Sequence, residues 1–127
     1  MRIFSSTTGD PMLLDREGGL HAFGAELREF VGSSLGNHSF SAETTGSAEP
    51  YAEFLCGLRV EKLEGAGSKV RVADDRWLEL KASASDLKGL CDTLSQIRNG
   101  EHTHFRAFPV SLVLEADDTW PGFANEG

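Results

Sequence analysis

The sequence has only two cysteines and no long apolar run, and each absence excludes a class of protein. No stretch approaches the roughly 20 apolar residues of a membrane-spanning helix, and residues 1–6 lack the apolar segment of a secretory signal. Cys56 lies in an apolar strand-like run and Cys91 on the apolar stripe of a predicted helix, where thiols behave as small hydrophobic residues. We therefore predict a cytoplasmic protein without a disulfide or a redox role.

Basic residues are few, with 12 Lys and Arg against 20 Asp and Glu and a formal net charge of -8 at pH 7. This charge repels phosphate backbones and anionic lipid surfaces over a Debye length of roughly 10 Å. Nucleic acid and membranes are therefore not expected as partners. The same field attracts a basic protein and speeds its docking.

Local catalytic motifs are also missing. The sequence contains no Gly-x-Ser-x-Gly, phosphate-binding loop, dinucleotide fingerprint, His-Glu-x-x-His or Cys-x-x-Cys. We predict no catalytic residue and no cofactor. A triad of residues distant in sequence stays open as an alternative, because triads are recognised by geometry and not by order.

Two segments have the periodicity of amphipathic helices. Residues 85–98 place Leu87, Leu90, Cys91, Leu94 and Ile97 on one face, after possible serine N-caps and before Asn99-Gly100. Residues 18–31 do the same with Leu20, Phe23, Leu27, Phe30 and Val31. With 127 residues, the chain has the size of one domain with one core.

Alternating segments surround both helices and predict eight strands, four in each half of the chain: 2–6, 12–15, 38–42, 53–63, 69–73, 77–80, 102–108 and 110–116. The halves, about 1–64 and 68–118, each have the order strand, strand, helix, strand, strand, and a tail covers 119–127. We predict an internal repeat and an α+β fold in which two ββαββ-like halves form one antiparallel sheet with both helices on one face. The opposite sheet face is then open to a partner.

A His-x-His strand is the local pattern most suggestive of a metal. His102 and His104 are two residues apart, so on a strand they project from the same face. A metal site needs at least a third protein ligand, and spacing does not select one among His38, Asp74, Asp75 and Glu79. Structural or surface histidines are the simpler interpretation, so no metal is predicted.

Two similar segments, Asp74-Asp75-Arg76-Trp77 and Asp117-Asp118-Thr119-Trp120, place two carboxylates just before a tryptophan. An aromatic residue with acids around it suits an Arg-rich protein, because carboxylates accept the guanidinium fork while the ring supplies desolvated area. Alternatively, Asp-Asp is turn chemistry, and Trp77 opens a strand and is expected in the core. We predict partner contacts by Asp74, Asp75, Asp117, Asp118 and Trp120.

The second half resembles small bacterial immunity proteins of polymorphic or contact-delivered toxin systems. The resemblance rests on about forty residues: Trp77-Leu78-Glu79-Leu80, residues 85–90, His102-Thr103-His104-Phe105 and Ser111-Leu112-Val113-Leu114. It implies a non-enzymatic inhibitor that binds one cognate toxin domain in the cytosol and occludes its active site. It assigns no catalytic residue.

Two alternatives belong to other functional classes. A metal-binding protein or metal-dependent enzyme would use the His-x-His strand, and stoichiometric metal in the purified protein would favour it. A self-associating structural module would pair exposed strand edges and form a concentration-dependent homodimer.

Overall fold

A computed structural model describes residues 1–7, 9–49, 51–65 and 67–120. The helices are α1 (Glu17–Val31) and α2 (Ala84–Gln96). The strands are β1 (Arg2–Ser5), β2 (Met12–Asp15), β3 (Asn37–Ser41), β4 (Glu53–Phe54), β5 (Gly57–Leu63), β6 (Ser68–Val72), β7 (Trp77–Ser83), β8 (His102–Phe105), β9 (Phe108–Pro109) and β10 (Leu112–Ala116). The predicted α+β class and both helices are confirmed.

The helices form where the apolar periodicity predicts them, and the stripe residues of both are buried. Ser83 caps α2 by accepting a hydrogen bond from the Asp86 backbone N–H at 3.1 Å. Gly24 allows α1 to cross α2 closely, because a Cβ there would lie 2.9 Å from the Leu94 Cβ. The two helices therefore pack as one layer.

The strands form two five-stranded sheets, and the prediction of one antiparallel sheet is wrong. Sheet 1 has the order β4-β1-β2-β10-β8, and sheet 2 has the order β3-β5-β7-β6-β9. Both are mixed, since β2 is parallel to β10, β5 to β7, and β6 to β9, while their other pairs are antiparallel. Parallel pairing joins strands distant in sequence, and alternation within each strand carries no signal for it.

The strand order of one sheet repeats that of the other. Sheet 1 starts at the edge strand β4, continues with β1 and β2 from the same half, and ends with β10 and β8 from the other half. Sheet 2, read from its edge strand β9, follows the same pattern with β6 and β7 and then β5 and β3. Each helix carries the chain between sheets: α1 leads from β2 to β3, and α2 leads from β7 to β8. The expected ββαββ order of each half is present with one added two-residue strand. Whether the repeat reflects duplication stays a prediction.

One large core lies between the sheets and the helices. It contains Ile3, Leu13 and Leu114 from sheet 1, Val60, Val70 and Leu80 from sheet 2, and the apolar stripes of both helices. A second, smaller cluster of buried residues, Phe4, Leu14 and Phe54, lies on the other face of sheet 1. Each sheet thus has an inner face in the main core and an outer face.

None of the described helices is long and apolar enough to cross a membrane.

Candidate functional site

The outer face of sheet 1 carries most of the side chains that could make up a binding site. One row across four strands contains Phe4, Met12, Val113 and His104, and the next contains Arg2, Leu14, Glu115 and His102. Neighbouring strands place these side chains close enough to form a continuous surface. In the first row, Phe4, Met12 and Val113 are apolar, so this part of the face is stabilised when other side chains shield it from water.

Three aromatic rings pack around Phe4 and cover this row; we call the four residues Phe4, Tyr51, Phe54 and Trp120 the aromatic cluster. Ring centroids lie 4.7 Å apart for Phe4 and Tyr51, 5.1 Å for Phe4 and Phe54, and 5.7 Å for Phe4 and Trp120. Phe4 is fully buried, whereas Tyr51 and Trp120 are half-buried. These separations are typical of favourable aromatic pairs. Tyr51 and Trp120 therefore shield the face and also present aromatic area to solvent.

Carboxylates border the aromatic cluster. Burial, together with the negative charges of Glu115 and Asp117, raises the pKa of the Tyr51 phenol above its ordinary value. Glu43 forms an ion pair with the buried Arg2 at 3.3 Å and so compensates that charge. The acids around the cluster make this face suitable for a positively charged partner group.

Asp117 and Asp118, both predicted as partner contacts, have structural bonds within the chain. The Asp118 carboxylate accepts the Glu17 backbone N–H at 2.8 Å and so caps α1, whose preceding residue Arg16 provides no side-chain cap. The Asp117 carboxylate accepts the Thr119 backbone N–H and hydroxyl at 2.9 and 2.7 Å. Asp118 is thus committed to the helix, while Asp117 stays beside Tyr51.

Asp74 and Asp75 lie in the turn between β6 and β7 of sheet 2 and not on the face that carries Trp120. Arg59 donates a bidentate hydrogen bond to the Asp75 carboxylate, which holds the pKa of that carboxyl below its usual range. The guanidinium expected from a partner is therefore supplied by the chain itself. Asp74 is exposed and has no hydrogen bond or ion pair within the described part of the chain.

Trp77, expected in the core, is instead half-buried on the outer face of sheet 2. Its ring covers Gly57, where an added Cβ would lie 2.5 Å from a ring carbon, and the Arg59 guanidinium lies 4.9 Å from the ring centroid. Arg76, in the same turn as Asp74, donates to the Phe54 carbonyl oxygen at 2.9 Å. This contact brings the turn against strand β4 of sheet 1.

The two histidines of the His-x-His strand project from the same face, as their spacing predicts, and this is the outer face of sheet 1. Their ring centroids are 6.1 Å apart, and Glu115 stands opposite His102. His38, Asp74, Asp75 and Glu79 belong to sheet 2 or its turn. No group of three or more His, Cys, Asp or Glu residues among those described is arranged to hold a metal ion.

Sequence reasoning missed Phe4, Tyr51, Phe54 and Glu115 as parts of this surface. A signal was present in β1 and β2, because Ile3-Phe4 and Met12-Leu13-Leu14 place apolar residues on both sides of a strand. Strands that are apolar on both faces are covered on both faces. Tyr51 follows a polar loop, and only its packing on Phe4 relates it to the sheet.

The sequence matches no protein-family model, no curated protein and no solved structure at a significant level. The resemblance of residues 77–114 to immunity proteins therefore stays a prediction.

Proposed function

We propose that this chain is a non-enzymatic binding protein whose partner is a basic protein that docks on the outer face of sheet 1. The observation that carries this proposal is the aromatic cluster with Glu115 and Asp117 beside it. Aromatic residues dominate the energetics of protein interfaces because they lose a large hydrated area at a small entropic cost.

The geometry favours recognition of arginine or lysine side chains. The exposed parts of Tyr51 and Trp120 offer ring faces to a cation, and the nearby carboxylates offer acceptors for its N–H groups. The net charge of -8 adds long-range attraction for a basic partner. Asp74 contributes from the adjacent turn, whereas the carboxylates of Asp75 and Asp118 are already engaged within the chain.

We further propose that the partner is a toxin domain and that the chain is its cytoplasmic immunity protein. The resemblance of the second half supports this role, and the acidic charge suits toxins with basic, nucleotide- or phosphate-binding clefts. Inhibition then requires only that the docked protein fills the cleft and blocks substrate entry. Burying these ion pairs costs free energy on both sides, since the partner's cations and the carboxylates lose water when they meet.

The test uses immobilised full-length protein and lysate of the native organism, washed at low and then at high salt. We expect wild-type protein to retain one basic protein, and Glu115→Lys or Trp120→Ala to lose it. Glu26→Lys is the matched control, because Glu26 is exposed on α1 and the substitution changes net charge by the same amount as Glu115→Lys. The retained protein, when purified, should lose its activity on adding an equimolar amount of wild-type chain.

Two results would contradict the proposal. Equal retention by the Glu115→Lys and Glu26→Lys baits would show that the outer face of sheet 1 is not the contact. A retained partner whose activity is unchanged by the chain would leave binding intact and remove the inhibitory role.

A further inference from the structure

The outer face of sheet 2 carries a strip of basic side chains in an otherwise acidic protein. Four of the twelve basic residues of the chain lie on it: Arg59, Lys69, Arg71 and Lys81. Across β7 and β6, one row of the outer face contains Lys81 and Lys69, and the next contains Glu79 and Arg71. Glu61 lies beside Lys81 at the β5 end of the first row, so these two rows join three cations to Glu79 and have a second carboxylate at their edge.

Lys69 and Lys81 stand directly opposite each other in the antiparallel β6–β7 pair. Like charges in directly opposed positions destabilise a sheet. Neither lysine has an ion-pair partner within 4 Å in the described part of the chain, while Glu79 is held between Arg71 at 2.5 Å and Arg59 at 3.8 Å. Glu61, the neighbour of Lys81 on β5, is not within ion-pair distance either, so no direct contact among the described residues neutralises the two lysines.

A shallow groove of about 240 Å³ lies over these residues, and one side of it is apolar. It is lined by Lys69, Arg71, Glu79, Lys81, Phe108 and Pro109. Phe108 is adjacent to Lys69 across the β6–β9 pair, and 75% of its surface is exposed. Such an exposed aromatic residue beside uncompensated lysines combines an apolar and a cationic contact.

We propose that this groove binds an acidic, extended segment of a protein partner, whose carboxylates meet Lys69 and Lys81 and whose apolar side chain packs on Phe108. Charge complementarity identifies this occupant: the strip needs a few anionic groups next to apolar area. A nucleic acid would bring a long run of phosphates into the field of a chain with net charge -8. This site is separate from the aromatic cluster and does not depend on the proposed function.

Fluorescence anisotropy tests the inference with the full-length chain and a labelled peptide of alternating Glu and Leu residues. We expect binding to wild-type protein that weakens about tenfold for Lys69→Glu and for Phe108→Ala. Lys88→Glu is the matched control, because Lys88 is exposed on α2 and the substitution changes net charge equally. Lys69→Glu should not lower the melting temperature, since it places a carboxylate opposite Lys81.

Measuring affinity and melting temperature together separates binding from folding. If Lys69 had only a structural role, Lys69→Glu would not weaken peptide binding while the melting temperature was kept. Equal binding of a Gln–Leu peptide, equal weakening by Lys88→Glu, or no binding at millimolar peptide would overturn the proposal. Stronger binding of a single-stranded oligonucleotide would replace it with a nucleic-acid site. A concentration-dependent dimer lost in Lys69→Glu would replace it with self-association. Glu115→Gln should leave peptide binding unchanged, which keeps this test independent of the sheet 1 contact.

Discussion

The two sheets have equivalent strand orders, but the outer face of sheet 1 is largely apolar and that of sheet 2 is charged. Equivalent rows contain Phe4, Met12, Val113 and His104 in sheet 1, and Arg71, Glu79, Arg59 and Ser39 in sheet 2. The equivalent inner rows are alike in their apolar centre, with Ile3, Leu13 and Leu114 against Val70, Leu80 and Val60. The two sheets thus share an apolar inner face and differ in the side chains of their outer faces.

The difference shows how surface composition determines what covers a sheet. Removing apolar surface from water is favourable by about 25 cal/mol per Å². Tyr51 and Trp120 therefore stabilise sheet 1 by packing over its apolar outer face. The outer face of sheet 2 is charged and needs no cover. A partner is therefore expected to meet rings and acids on sheet 1, and lysines on sheet 2.

The largest effect is expected from Phe4→Ala. Phe4 is on an outer face, yet it is fully buried under other rings, so its truncation should lower the free energy of unfolding by about 3–5 kcal/mol. Urea denaturation followed by circular dichroism measures this loss. The control is Phe108→Ala on sheet 2, which should change stability by less than about 0.5 kcal/mol. Similar losses for both variants would break the distinction between a covered and an open face.

A smaller effect is expected from Glu79→Gln. Glu79 lies between Arg71 and Arg59, and Arg71 Nε is at ion-pair distance from Glu79 Oε1 without directing its N–H at that oxygen. Loss of the carboxylate charge should lower the free energy of unfolding by about 0.5–1 kcal/mol, because both arginines are partly exposed and water screens their charges. The loss should shrink in high salt.

Glu61→Gln is the matched control for Glu79→Gln. Glu61 is on the neighbouring strand and has no ion pair within the described residues, so little change in stability is expected. A loss with Glu61→Gln equal to that with Glu79→Gln would show that general charge balance, and not the Arg–Glu–Arg row, stabilises sheet 2.

The smallest effect concerns Tyr51. Its pKa is raised above 10, first by burial and then by Glu115 and Asp117, because the folded state favours the neutral phenol. This contribution to stability is fully present below pH 10 and is lost as pH rises through the folded pKa. Tyr51 is the only tyrosine, so the tyrosinate absorbance reports it directly. We expect a native midpoint above the midpoint in denaturant, and a smaller difference in Glu115→Gln.

A native midpoint at or below that of the denatured chain would contradict the position of Tyr51 in the aromatic cluster. Asp92→Asn provides the control, because Asp92 pairs with Arg28 on the helices and should leave the Tyr51 titration unchanged.

The candidate site was only partly predictable. Asp117 and Trp120 were identified from their spacing, and they lie beside Tyr51. Asp118 was identified for the same reason but caps α1, because an N-cap supplied from a residue 101 positions away has no local signature. Likewise, nothing in the spacing of Asp75 indicates that Arg59 engages its carboxylate.

The helices and nearly all strands could be predicted from the sequence, because hydrophobic periodicity and capping are local properties of the chain. The net charge of -8, which favours a basic partner, is likewise read from composition. Only the tertiary structure shows that each sheet combines three strands of one half with two of the other, that β2 pairs in parallel with β10, and that Tyr51 covers Phe4. These contacts join residues far apart in the chain, and their energies depend on packing that no local pattern records.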